Sequence, residues 1–261
     1  MIGNRESGIG YRWGVGRATV FFVVFALAVS LGCVRLGFWQ LERLGERRET
    51  NAGILSRLAE PAVPLAALRG DTAIRFRRAT ARGQYDFASE FVLTSRSRHG
   101  APGVHIITPL RTVGRDTAVL VNRGWAYAPD GMRVDLALFR EESPAEVDGF
   151  VDVFSESPGP VSTPSVERAV RRLVRDSMAA RLPFPIAAVL LVQRRDSGEA
   201  TAIDRGTPVR ADPPPLDEGP HRAYAVQWFA FALVGVVGSV LVLARDRRSK
   251  GSQAREAAAV R

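Results

Sequence analysis

The chain reads as a membrane protein in which two transmembrane helices flank an extracytoplasmic α+β domain with a mainly antiparallel sheet. Three observations predict this. Long apolar runs lie near both ends, at residues 18–39 and 223–244 of 261. Between them, short β-type segments alternate with Gly, Pro and Asp clusters, a spacing that favours antiparallel pairing. Arginines flank both runs on the sides that face the chain ends.

Residues 18–34 carry no charge, and after Arg35 the apolar character continues through Leu36-Gly37-Phe38-Trp39. With Arg35 snorkelling outward, the run is long enough to cross a hydrocarbon core of about 30 Å, and Trp39 falls at the expected aromatic belt. A cleaved signal peptide fits less well. Gly32-Cys33 resembles a lipoprotein processing site, but Ser30 stands where a Leu is usual and apolar sequence continues past Cys33. A retained anchor is expected, preceded by a tail at residues 1–17 that carries Arg5, Arg12 and Arg17.

From Gln40 a helix should continue to about Ala59 and end at Pro61 and Pro64. Strands are predicted at residues 73–85, 90–95, 104–110, 117–122, 146–154 and 186–193. The last of these, apolar without a break, suggests a central strand covered on both faces. Ser165 should cap a basic amphipathic helix over residues 166–181, and residues 205–220 read as a Pro-rich linker. The second span ends at Arg245-Asp246-Arg247-Arg248-Ser249-Lys250, in a basic tail of residues 245–261. By the positive-inside rule both termini are cytoplasmic and residues 40–222 form one outer domain.

The formal charge is +9, but it is scattered, and no aromatic-studded basic motif accompanies it. A nucleic-acid partner is therefore not expected, whereas membrane lipid is. The single cysteine, Cys33, excludes an intramolecular disulfide and a four-ligand zinc site. No G-x-S-x-G, H-E-x-x-H or Cys/His pair appears, so no enzyme is expected.

Three histidines remain. His99 reads as a hairpin tip and His105 as a satisfied sheet residue. His221 opens the second span, with Tyr224, Gln227/Trp228 and Phe231 on the same helical face. A neutral imidazole there is able to ligate haem iron; equally, the stripe is able to serve as interfacial anchoring. Phe38-Trp39-Gln40 and Gln227-Trp228-Phe229 mirror each other at the two membrane edges. If the helices pack, Gln40 and Gln227 should hydrogen-bond, with Arg35 and Arg43 near His221. At Asn122-Arg123-Gly124-Trp125, Gly124 would allow a bulge or a close backbone approach, with Arg123 and Trp125 on opposite faces.

Leu36-Gly37-Phe38-Trp39-Gln40-Leu41-Glu42-Arg43, Val119-Leu120-Val121-Asn122-Arg123-Gly124-Trp125 and His221-Arg222-Ala223-Tyr224-Ala225-Val226-Gln227-Trp228-Phe229, in that order, resemble the surfeit locus protein 1 family. The resemblance covers residues 18–245. It implies two membrane helices around an outer α+β domain, and a bacterial inner-membrane assembly factor for haem-copper cytochrome c oxidase that assists haem A delivery or insertion. The family's proposed haem-ligating histidine falls on His221. Tyr224, Gln227, Trp228, Trp39 and Gln40 would surround the cofactor, and Arg43 or Arg35 would meet its propionates. The implied partners are the oxidase catalytic subunit and haem A synthase. The alternative is a scaffold that holds oxidase subunits together during assembly without binding haem.

Overall fold

The computed structural model describes residues 16–68, 74–156, 168–195, 207–214 and 216–259. The tail arginines Arg5 and Arg12, and Ser165 with the start of the expected basic helix, lie outside the described residues. Among the described residues three α-helices, α1 (Arg17–Ala59), α2 (Arg175–Ala179) and α3 (His221–Ala259), accompany eight strands. The strands are β1 (Val63–Pro64), β2 (Arg78–Tyr85), β3 (Phe91–Arg98), β4 (Ala101–Thr112), β5 (Ala118–Tyr127), β6 (Ala145–Val153), β7 (Ala169–Val170) and β8 (Ile186–Gln193). They divide into two compact units. One joins α1 as far as Asn51 to the residues from Leu216 onward, and the other begins at Ala52 and ends before Leu216.

The first unit is a helix pair. Both α1 and α3 are long and apolar enough to cross a membrane. The buried residues of α1 are Val23, Ser30, Cys33, Gly37, Gln40, Leu44 and Asn51. Their steps of three, four and seven trace a heptad seam, the spacing that keeps one stripe of a helix against its partner. On α3 the buried positions Ala225, Ala232 and Ser239 repeat every seven residues. Small residues dominate because apolar helices in lipid gain little from excluding one another and associate by close backbone approach. A Cβ on Gly37 would stand 2.6 Å from the Phe229 ring, and one on Gly235 would collide with Ser30 Oγ. The seam hydroxyls return to their own helices, with Ser30 donating to Ala26 O at 2.8 Å and Ser239 to Gly235 O at 2.7 Å. Away from the seam, Phe21, Phe25, Leu31, Leu233 and Leu241 are exposed. Apolar surface on this scale is costly in water and at home in hydrocarbon, which supports membrane association.

The second unit is β-rich, and its sheet closes on itself. In order β2-β6-β8-β5-β4, each strand is hydrogen-bonded to the next, and the end of β4 returns to the end of β2 through Leu110↔Tyr85 and Thr112↔Gly83. Beyond that return, β3 and then β7 continue the sheet on the free edge of β4, and β1 adds to β2. Pairing is mainly antiparallel, as expected, with β5–β8 the principal parallel contact. Closure removes the exposed edges that an open sheet would carry.

Alternation along the strands sets two cores. Inside the ring, Ala79, Ala81, Val119, Val121, Val147, Val151 and Leu191 pack together, residues small enough for the narrow interior of so few strands. On the outer face, Leu93, Ile107, Leu120, Phe150, Leu190 and Val192 meet Val170, Leu173 and Met178 from β7 and α2. β5 and β8 are therefore covered on both sides, which is why their sequences are apolar without a break, and β8 is central as its run predicts.

The expected basic helix over residues 166–181 is not formed. Arg168 has φ +61, a left-handed conformation that interrupts a right-handed helix. Ala169 and Val170 instead satisfy the edge of β3 as β7, leaving among the described residues of this stretch the five residues of α2 helical. Within the described residues the unit is thus more β than α+β.

At the Asn122–Trp125 corner, both alternatives for Gly124 occur together. The β4–β5 register shifts between Ile106 and Ile107, opposite Arg123, and Gly124 sits at φ +129, where a Cβ would collide with Val209 O. The bulge turns Arg123 inward to complete burial. There it bonds Glu90 at 2.8 Å and Glu141 at 2.7 Å, donates to Phe139 O, and lies over the rings of Tyr85 and Phe87. Arg210 closes the network by donating to Arg123 O at 2.6 Å and pairing with the far oxygen of Glu141.

Candidate functional site

His221 is the first residue of α3. Gly219, at φ +67, turns the chain into the helix, and Tyr224 N–H bonds Pro220 O at 3.1 Å to close the first turn. On α1, the heptad seam carries Gln40 to the same level. The two side chains meet, with Gln40 Oε1 2.9 Å from His221 Nδ1. An amide oxygen only accepts, so Nδ1 carries the proton, and Nε2 presents its lone pair. Nε2 has no hydrogen-bond partner among the described residues. Metal-binding imidazoles are commonly oriented this way, through an acceptor on the nitrogen that does not ligate.

Beside His221 lies a cavity of about 470 Å³, lined by Arg43, Glu46, Arg47, Thr50, Asp217 and Gly219. Its walls are held by charge. Arg47 Nε donates to Asp217 O at 3.2 Å, and Asn51 Nδ2 to the same oxygen at 3.0 Å. Arg48 grips Glu218 with two parallel bonds of 2.7 and 2.9 Å. That pairing holds the Glu218 carboxyl below its usual range, chiefly through the hydrogen bond itself. Arg43 pairs within its own helix with Glu46.

The sequence-predicted residues divide into three groups. Gln40, His221 and Arg43 are brought together around the cavity. Phe38 meets Phe229 edge-on at 5.4 Å, and the half-buried Trp228 meets Phe231 at 6.0 Å, which fixes both ring systems at the helix edges. Trp39, Tyr224 and Gln227 point outward and are exposed. The expected Gln40–Gln227 bond is not made. Gln40 is buried and bonds His221 instead, because Gln227 falls on the outer face of α3. Arg35 is exposed on α1 and lines no part of the cavity.

Sequence reasoning missed Arg47, Thr50 and Asn51 on the helix leading out of the first span, and Asp217 and Glu218, whose segment read as a linker. One signal was available: Arg47-Arg48 and Asp217-Glu218 are adjacent pairs of opposite charge, each within nine residues of a predicted membrane edge. Of the other histidines, His99 occupies the exposed β3–β4 turn at φ +48, and His105 is a half-buried residue of β4 bonded to Asn122. Among the described residues, no group of three or more His, Cys, Asp or Glu converges as a bare metal ion would require.

The chain is similar to known proteins. Residues 27–233 match the SURF1 family, a stretch that includes both helix edges, the barrel and His221. A "SURF1-like protein" of Rickettsia felis is 31% identical over 108 residues, which is 41% of this chain and 44% of that relative. Its counterpart in Rickettsia conorii is 30% identical over 106 residues, 40% of this chain and 41% of the relative. The "Surfeit locus protein 1" of Takifugu rubripes is 26% identical over 121 residues, 40% of this chain and 50% of the relative. The alignments thus span half or less of these curated relatives. With the family match covering most of its length, the chain belongs to the SURF1 family.

Proposed function

We propose that this chain is a non-enzymatic assembly factor for a haem-copper cytochrome c oxidase, and that it assists delivery or insertion of haem A into the catalytic subunit. Family membership and two membrane-competent helices support the assembly role. The observation that carries the haem reading is the 2.9 Å contact between His221 Nδ1 and Gln40 Oε1, which orients one imidazole with Nε2 unpartnered among the described residues.

The residues present fit part of such a cofactor. His221 would supply one axial nitrogen to iron. Arg43 and Arg47 line the adjacent cavity, and guanidinium groups suit propionate carboxylates. That cavity is polar, so it suits the carboxylate edge of the cofactor better than its apolar ring. Trp228 and Tyr224 offer aromatic surface at the start of α3. Bound iron would supply the optical signature; the chain's own part is to hold and orient the cofactor, and to release it. One weakly held ligand is consistent with a courier, which must let go.

In this reading both termini are cytoplasmic, the barrel unit is extracytoplasmic, and the protein works in a bacterial inner membrane beside the oxidase catalytic subunit and haem A synthase. Deletion of the gene, followed by reduced-minus-oxidised spectra of membranes, tests it. The haem A signal should fall while other cytochromes persist. An unaffected oxidase would contradict the proposal.

A further inference from the structure

We propose that the barrel unit carries a second binding site, independent of the helix pair, for a small monocarboxylate attached to an apolar body. The site is a cleft of about 540 Å³ across the outer face of the consecutive strands β6, β8, β5, β4 and β3. Its volume falls within the ~300–1,000 Å³ of small-molecule sites. The apolar floor comes from Leu93, Phe154, Leu173 and Leu190, all at the end of the outer core.

Two polar groups on this floor lack the partners that their surroundings call for. Arg96 of β3 donates from one guanidinium nitrogen to Arg171 O at 3.3 Å, but its buried Nε has no hydrogen-bond partner and the side chain pairs with no carboxylate among the described residues. Its half-buried counterparts elsewhere in the unit do: Arg77 pairs with Glu60, Arg78 with Asp148, and Arg98 and Arg195 with Asp212. Burial alone pulls Arg96 below the usual arginine range, the mark of a charge taken partly out of water without compensation. An anion would supply that compensation.

His105 of β4 provides the second group, and its tautomer follows from its neighbour. Gly124 N–H donates to Asn122 Oδ1 at 3.1 Å, which turns the Asn122 amide nitrogen toward His105 Nδ1, also at 3.1 Å. Nδ1 therefore accepts, and Nε2 carries the proton and is a donor without a partner among the described residues. Burial, helped by Arg96 and Arg98, pushes His105 down to about 4, so the ring is neutral at physiological pH.

Charge selects a carboxylate over a phosphate. Asp152 and Glu156 line the same cleft, and Arg75 is already engaged by Asp152 at 2.7 Å, which leaves the single charge of Arg96 to be met. A monoanion balances this. A phosphate, at roughly −1.5 to −2, would overshoot it beside two carboxylates.

The test uses the full chain in lipid nanodiscs, titrated with 3-phenylpropanoate and followed by ligand-observed NMR and the His105 ring ¹⁵N signals. Saturable binding that perturbs the His105 Nε2 resonance is expected, at least tenfold weaker in Arg96→Gln and weakened in His105→Phe. 3-Phenylpropanol should bind more weakly than the acid, and 3-phenylpropylphosphonate no better than it. If Arg96→Gln fails to fold, His105→Phe and the ligand series carry the comparison. No saturable binding by the wild type, equal binding by both variants, or preference for the phosphonate or the alcohol would overturn the proposal.

Discussion

Replacing Arg123 by Met removes the fully buried cation that pairs with both Glu90 and Glu141, and leaves a side chain of similar length. The guanidinium is fully buried, and Glu90 beside it has a side-chain exposure of 2%. The substitution deletes the bonds to Glu90 at 2.8 Å, to Glu141 at 2.7 Å and to Phe139 O. Glu141 keeps Arg210, but Glu90 is left with Thr108. Breaking a buried pair from one side costs about 3–5 kcal/mol, because the surviving charge stays out of water. At about 1.4 kcal/mol per tenfold, amide exchange from β5 through opening of the unit should accelerate by roughly two to three and a half orders of magnitude. Hydrogen exchange of the full chain in nanodiscs measures this. Acid should narrow the deficit. Burial already raises the Glu90 carboxyl above its usual value, and without Arg123 it rises further. A folded-state value above the unfolded one gives stability at low pH that is lost as pH rises, so the variant should recover relative to wild type on acidification. Exchange within a factor of about three of wild type at neutral pH would refute the reasoning.

Other expectations follow from single contacts. Gly124→Ala places a Cβ into Val209 O at φ +129, and should destabilise the barrel by about 2 kcal/mol or more, read by the same exchange experiment. Gly235→Leu drives a side chain into Ser30 and should loosen the helix pair, seen as faster exchange at the α1 seam with β5 protection unchanged. Gln40→Ala frees the His221 ring, and should weaken haem binding about 10–100-fold in a spectrophotometric titration while leaving helix content intact. His105, held down at about 4 against 6.5 when unfolded, favours unfolding once protonated. The barrel should therefore lose about 3 kcal/mol as pH falls through that window, and His105→Gln should flatten the loss.

Much of the fold was legible because burial imposes periodicity. The six longer strands announced themselves by alternation or by unbroken apolar runs, and the helix pair by its length and composition. Closure of the sheet was not legible: it depends on β4 outrunning β3 and turning back to Tyr85, a pairing with no local signature. The basic segment near residue 170 misled because Val170, Leu173 and Met178 suit a helical stripe as well as a strand followed by one turn. Only the unsatisfied edge of β3 decides between them. At the site, the mirrored Trp-Gln edges pointed correctly to contact between the two helices. The pairing partner was misjudged, because spacing along α3 cannot fix which face meets α1. Gln40 reaches His221, and Gln227 turns outward.

The proposed haem site turns on one imidazole. Protein purified from cells that make haem A should carry a Soret band, and His221→Ala should abolish it while α1, α3 and the barrel keep wild-type hydrogen-exchange protection. A band of unchanged position and intensity in that variant would contradict the assignment of His221 as the haem ligand.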